Sequence, residues 1–405
     1  MTKLYLYDDA KAREFEPFAL TRPVSELRAG AEIIRARWER VAGITAHGFI
    51  GASQLINFEE AGAPPATSLN DTIPPGSLIA NSRCVVALDA ALDDNSASFS
   101  CDGVLCAVRT ARPIAASELG DGTVQLEELA DDSMVAVVNG RWLQDVWAPI
   151  GTLADQLADD IPVMAAQLHA RSIQDATVMG NHGVYCEPDS VIEPFVLLDA
   201  SSGPILIRRG ATISSFTRIV GPTYIGRDSM IVGDAVRACS IGDVCKVRGE
   251  IAGSVMLSHS NKGHTGFIGS SYVGKWVNLG AGTTTSNLKN TYGPVQLWTP
   301  SGMRNTGLQF LGSLIGDHAK TGIGLMLTTG TVIGAGANIY GARGVPKRVP
   351  PFAWGDSEPY GRYAIDKFVE VAERMMARRH VELGDKARRQ LADCYVASAE
   401  AAARS

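Results

Sequence analysis

Ile205-Leu-Ile207-Arg-Arg-Gly-Ala211-Thr-Ile213-Ser-Ser-Phe-Thr217-Arg-Ile219-Val-Gly-Pro-Thr223-Tyr-Ile225-Gly-Arg-Asp-Ser229-Met-Ile231 carries an aliphatic residue at every sixth position and, from Ala211 on, a small residue two places before it. The beat returns as Ile315, Thr321, Leu327, Ile333 and Ile339, with Ala319, Thr331 and Ala337 at the small position. A period of six is neither the 3.6-residue turn of a helix nor the two-residue alternation of a strand. Repetition at a fixed short period marks stacked units, none of which can bury its apolar side alone. Each unit reads as one short strand and a turn: the aliphatic residue fills the interior, and the small residue lets the chain bend at a corner.

Working outward, hydrophobic turns at Ile173 and Val178 start the coil near residue 170, and Pro346-Lys-Arg-Val-Pro-Pro351 is expected to end it, because proline cannot donate to a ladder. From Tyr363 to Ala403, helix formers with Ile365, Phe368, Val369, Ala372 and Met376 at the apolar positions predict a terminal amphipathic helical segment. Before the coil, Lys3–Tyr7 alternates and runs into Asp8-Asp9, a first strand whose end lies where α/β sheets bind ligands. A helix is predicted over Ala31–Val41 and a helical run over Trp147–Leu157. Further α/β pieces are Thr45–Ile50, Leu78–Val86, Gly103–Arg109 and Met134–Val138. The expected domains are an α/β domain over 1–165, the coil over 166–350 and a helical tail over 351–405.

Composition bounds the function. A chain of 405 residues suggests two or three domains, and 45% hydrophobic with 20% charged residues suffices for a sizeable core. The net charge of −6 gives no general attraction for nucleic acid or anionic membrane, so any anion site is local. The start of the chain has no apolar run of signal-peptide length, and no stretch approaches a membrane span. The seven cysteines are scattered and lack zinc spacing. A cytoplasmic protein with free thiols is expected, Cys239 and Cys245 facing into or along the coil.

The repeat falters at Ser258-His-Ser-Asn-Lys-Gly-His-Thr-Gly-Phe267, resumes through Val277-Asn-Leu-Gly-Ala-Gly-Thr-Thr-Thr-Ser-Asn-Leu-Lys-Asn290, and leaves for a loop with Tyr292, Trp298 and Arg304 before returning at Gly307. Polar residues dense enough to break a repeat cost stability, and such violations tend to mark function. A neutral imidazole with a pKa near the operating pH suits removal of a proton from an amine nucleophile. His264 is the candidate base, and a backbone N–H of the tight turn around Ala281 is the candidate oxyanion donor.

The hexapeptide pattern resembles the left-handed parallel β-helix of the bacterial acyltransferase superfamily, three hexapeptides to a coil; the handedness is implied by that resemblance. Lys262-Gly-His264, Asn278-Leu-Gly-Ala-Gly-Thr283 and Ser286-Asn287 resemble the acetyltransferase half of the bifunctional N-acetylglucosamine-1-phosphate uridylyltransferase/glucosamine-1-phosphate N-acetyltransferase (GlmU) family, with matching spacing from the histidine to both asparagines. The resemblance implies a homotrimer and acetyl-CoA as donor to an amino-sugar 1-phosphate, glucosamine 1-phosphate first, on the way to UDP-N-acetylglucosamine and cell-wall precursors. It implies that Asn278 and Asn287 orient the sugar or acetyl group. Lys289 would meet the phosphate, with Arg218, Lys246 and Arg248 as further ligands, and Arg343, Lys347 and Arg348 would lie near the phosphates of coenzyme A. One departure is Phe267, where the family usually has a tyrosine. The plain structural alternatives are a hydrogen-bonded loop histidine, an asparagine stack in the coil and a solvated basic turn.

For the first domain, the family's glycine-rich LAAGxGTRM fingerprint is absent. Phe18-Ala-Leu-Thr-Arg-Pro-Val-Ser-Glu-Leu-Arg28 stands after the first strand and keeps a Thr-Arg pair. Val138-Asn-Gly-Arg-Trp-Leu-Gln144 is similar to the family's metal-binding VNNRLQL, making Asn139 the candidate Mg²⁺ ligand. Asp9, Thr21, Arg22, Arg28 and Asn139 are the candidate nucleotide contacts, for transfer from UTP to a sugar 1-phosphate. Two rival readings stand. His259 and His264 form the HxxxxH spacing of γ-class carbonic anhydrases, zinc needing His182 or His318 as well. Alternatively, the protein is a non-catalytic regulatory subunit that binds sugar nucleotides.

Overall fold

The computed structural model describes residues 2–130, 134–171, 173, 176–341 and 344–404. They form two compact units, 1–148 with 383–405, and 149–382.

In the first unit, Leu4–Tyr7 sits inside a mixed sheet, parallel to both Ala46–Ile50 and Leu78–Asn81. Val104–Arg109 joins antiparallel to Leu78–Asn81, and Ser98–Cys101 and Val135–Val137 complete six strands. The predicted run Leu78–Val86 is two strands. It breaks after Asn81, and Cys84–Val86 pairs instead with Gly140–Trp142. Helix α1, Ile34–Ala42, starts three residues later than expected, because Glu32–Ile33 pairs first with Arg28–Ala29. Gly43 ends it at φ 67°, the left-handed position that glycine adopts without a Cβ clash.

The second unit is a parallel β-solenoid with three ladders. Face A stacks 176–180, 196–200, 217–220, 234–237, 250–252 and 267–269; face B runs from 184–186 through 205–207 and 272–273 to 348–349; face C runs from 191–192 through 212–213 and 261–262 to 353–355. The register aligns the repeat as read: Ile213 on Ile231, Ile207 on Ile225, Ile315 on Ile333, Thr321 on Ile339. Ile207, Ile213, Ile219, Ile225 and Ile231 are fully buried in one continuous core with Cys239 and Cys245. Helix α2, Leu153–Ala165, buries Leu153, Leu157, Ile161 and Met164, spaced for one helical face. It packs on the face B strands 205–207 and 223–225. By packing, α2 therefore goes with the solenoid unit, which begins at 149.

One expectation is corrected. The coil does not stop at the prolines: Arg348–Val349 and Ala353–Gly355 add another layer, parallel to Val332–Ile333 and Asn338–Ile339. Pro350 and Pro351 fall at the corner between those strands. The last layer serves the ladder mainly through carbonyls, with Val332 N–H donating to Lys347 O and Gly334 N–H to Val349 O. The missing proline donors therefore cost little. Gly361–Arg362 then pairs antiparallel on Ala353–Trp354. The expected helical tail is made of two helices. Helix α3, Ile365–Ala377, buries Phe368, Ala372 and Met376. Helix α4, Asp385–Arg404, belongs to the first unit, where Gln390 Nε2 donates to Thr21 O and Cys394 Sγ to Leu20 O.

Candidate functional site

The polar stretch 258–267 breaks the sequence pattern and leaves the coil intact. Asn261–Lys262 is in register between Lys246–Val247 and Asn278–Leu279. The residue paired with Val247, in the interior row, is Lys262, and it is fully buried. Its Nζ donates to the carbonyls of His264 and Thr265, the latter at 2.8 Å. Burial pushes the ammonium pKa down to about 8.

His264 follows on the turn between faces C and A and is exposed. It opens on a cavity of about 450 Å³, lined also by Met230, Lys246, His259, Asn261 and Asn278 from the coil and by Met375, Arg378 and Arg379 at the end of α3. Asn261 Nδ2 donates to Asn278 Oδ1 at 2.7 Å, so the asparagines form a ladder on the outside of face C, not inside the prism. Lys246 packs its chain along Gly263. Three cations and no carboxylate line the cavity, so its field favours an anionic ligand. His259 turns its ring to Trp276, centroids 4.3 Å apart. Among the described residues no group of three or more His, Cys, Asp or Glu is placed to hold a metal ion.

The cavity thus gathers His264, Asn278 and Lys246. The other sequence-predicted residues lie elsewhere. Asn287 donates to Ser270 Oγ at 3.3 Å, and Lys289 to Pro294 O at 2.9 Å. Lys347 donates to Thr329 O, with Lys289 near enough to help burial lower its pKa. Arg348 stacks over Trp298, 3.9 Å from the ring centroid, and Arg343 lies outside the described residues. Arg218 pairs with Asp199 at 2.6 Å and Arg248 with Asp234 at 3.4 Å. The Ala281 carbonyl accepts from Gly324 N–H. Sequence reasoning missed Arg378 and Arg379. They follow α3, well past the repeat, and a basic pair at a helix C-terminus signals no more than dipole compensation.

In the first unit, Asp9 is buried and held by Arg83 at 2.6 Å, by Asn81 at 2.9 Å and by Ala12 N–H. Arg22 is buried against Glu60 at 2.9 Å, Arg28 donates to Ala31 O, and Thr21 Oγ1 donates to Phe18 O. Arg13 donates to the carbonyls of Asp8 and Gly120. Burial pushes the Asp8 carboxyl up to about 6, against hydrogen bonds from Ser82 and Val24. Asn139 is exposed, its carbonyl accepting from Ala87 N–H. Asn139 and the braced Asp9 therefore do not come together as a magnesium site among the described residues.

Residues 4–168 match the sugar nucleotidyl transferase family. A bifunctional sugar-1-phosphate nucleotidylyltransferase/acetyltransferase of Sulfurisphaera tokodaii is 35% identical over 91 residues, 22% of this chain and 23% of that one. The bifunctional protein GlmU of Synechococcus elongatus is 28% identical over 197 residues, 48% of this chain and 36% of that one. The chain is GlmU-like, at modest identity. The matched stretches span only about a quarter to a third of these relatives' lengths. Among solved structures, an Arabidopsis UDP-N-acetylglucosamine acyltransferase aligns with 53% of this GlmU-like chain and 79% of its own, at 13% identity and a TM-score of 0.31. Among the described residues, no helix is long and apolar enough to cross a membrane.

Proposed function

We propose that the solenoid unit transfers an acetyl group from acetyl-CoA to the amine of an amino-sugar 1-phosphate, glucosamine 1-phosphate being the first candidate. The observation that carries this reading is the exposed imidazole of His264 on a carboxylate-free, cation-lined cavity beside Asn278. His264 takes the proton as the amine nitrogen attacks the thioester carbon. The tetrahedral intermediate then expels the thiolate of coenzyme A, which is protonated as it leaves. The step needs no metal. Lys246, Arg378 and Arg379 supply the positive charge for the sugar phosphate, and Asn278, steadied by Asn261, orients the sugar or acetyl group.

The separation of Asn287, Lys289, Lys347 and Arg348 from the cavity supports a homotrimer in which one chain's basic turns meet a neighbour's His264. The test is release of free thiol from acetyl-CoA with a panel of amino-sugar 1-phosphates. Release that depends on the amino sugar and is lost in His264→Ala supports the reading; release with no member of the panel sinks it.

For residues 4–168, the family match favours nucleotidyl transfer to a sugar 1-phosphate, with UTP the first candidate donor and the acetylated sugar 1-phosphate the first candidate acceptor. The bracing of Arg13, Arg22 and Arg28 inside the fold favours binding without turnover. Pyrophosphate release from UTP with N-acetylglucosamine 1-phosphate, beside calorimetric titration of UDP-N-acetylglucosamine, separates the two: binding without release selects the regulatory reading.

A further inference from the structure

Lys262 has no counterpart elsewhere in the interior row of face C, where the register places Ile213, Ile231, Val247, Leu279, Thr321 and Ile339. An ammonium in an aliphatic stack is costly and persists only where its hydrogen bonds are met. Here they end on the turn that carries His264. The Thr265 carbonyl accepts from Lys262 Nζ at 2.8 Å and from Gly282 N–H at 2.9 Å, so one oxygen ties the histidine turn to the Gly280–Gly282 turn of the next layer. A Cβ at Gly266 would stand 3.2 Å from Nζ and 2.3 Å from Thr283 O, which leaves room for glycine alone at φ +136°. The turn is therefore clamped from inside the coil as well as by the ladder.

We propose that Lys262 is a positioning residue for His264: its ammonium, reaching from the interior, holds the His264 and Thr265 carbonyls and so fixes how the imidazole meets the cavity. This rests on reading His264 as the base, although the clamp itself does not. Charged or titratable groups on the surrounding elements are Lys246 and Arg248 on the preceding strand, Asp234 on face A and His264 itself. Asp234 works to keep the ammonium charged against burial, while Asn278–Leu279 on the following strand brings no charge. Loss of the Lys262 proton near pH 8 weakens its grip on both carbonyls.

The experiment follows the His264 imidazole by NMR of protein carrying ¹³C-labelled histidine, assigned by its loss in His264→Gln, across pH 6 to 10. In the wild type, and in a Lys320→Met control, the His264 resonance is expected to show a second inflection near pH 8. In Lys262→Met that inflection disappears. Turnover falls about tenfold to a hundredfold, the scale of a misplaced reacting group, with KM for the amino sugar within about twofold. A folded Lys262→Met with the wild-type resonance, turnover and pH profile would make Lys262 a mere filler and overturn the proposal. Lys262→Leu serves if the methionine variant does not fold. If neither folds, the wild-type titration decides alone, a single inflection being the refuting result. Absence of turnover in every protein would remove the acetyltransferase reading, and the resonance would still decide the clamp.

Discussion

Replacing Lys262 by methionine should change how stability depends on pH more clearly than it changes stability at any one pH. At neutral pH two contributions oppose. Methionine removes a buried charge, relieving a desolvation cost of several kcal/mol, but it also leaves the His264 and Thr265 carbonyls without the ammonium, at about 1–3 kcal/mol each. The pH dependence has no such cancellation. The folded chain releases the Lys262 proton near pH 8, whereas an unfolded lysine holds it to about 10.5. Between those values the unfolded state binds more protons, so this group's contribution to stability rises with pH. The gap of about 2.5 pK units, at 1.36 kcal/mol each, sets an upper scale of about 3 kcal/mol. Other groups titrate in the same window: Cys186 and Cys239 are pushed up to about 11 and about 12 by burial and work the other way, and Lys320 is pushed down to about 8 and works in the same direction. Only the difference between wild type and variant isolates Lys262. Urea denaturation followed by tryptophan fluorescence, at half-unit steps from pH 7 to 10.5, should show the wild type gaining on Lys262→Met as pH rises. A difference that stays flat across that range would refute the reasoning.

His264→Gln should lower acetyl transfer by about 10²-fold or more, with the thermal melt unchanged because the side chain is exposed; a loss below tenfold in a steady-state assay would remove it as base. Arg378→Ala with Arg379→Ala should raise KM for the phosphorylated acceptor at least about tenfold, spare KM for acetyl-CoA, and flatten the salt dependence of acceptor binding. On the proposed homotrimer, His264→Ala chains mixed with chains carrying Lys347→Ala and Arg348→Ala should regain activity; no recovery on mixing would refute a site shared between chains. In the first unit, Arg83→Met should cost about 3–5 kcal/mol in a thermal melt by stranding buried Asp9, and Asp9→Asn added to it should restore part of the loss.

How much of this was legible in the sequence follows from what a six-residue beat records. It records which side chains fill the prism, so Ile207 to Ile231 and Ile315 to Ile339 located the faces and the register. It does not record backbone pairing. Pro350 and Pro351 were therefore misread as a stop, although a corner in a carbonyl-serving last layer tolerates both. Arg22 and Arg28 read as nucleotide contacts, because sequence cannot show that Glu60 and the Ala31 carbonyl already hold them. Arg378 and Arg379 were invisible as site residues because α3 brings them to the cavity only through tertiary packing.

Lys262 shows most plainly where pattern and structure part. A polar residue in an apolar row reads as the coil giving way, on the premise that the interior accepts only what is apolar throughout. A lysine escapes that premise because its four-carbon stem fills aliphatic space while its amine reaches the backbone of the turn. The backbone can thus keep its register where the side-chain period fails. What the failure marks is a layer in which interior space is given to holding a surface turn, and that turn presents His264 to the cavity.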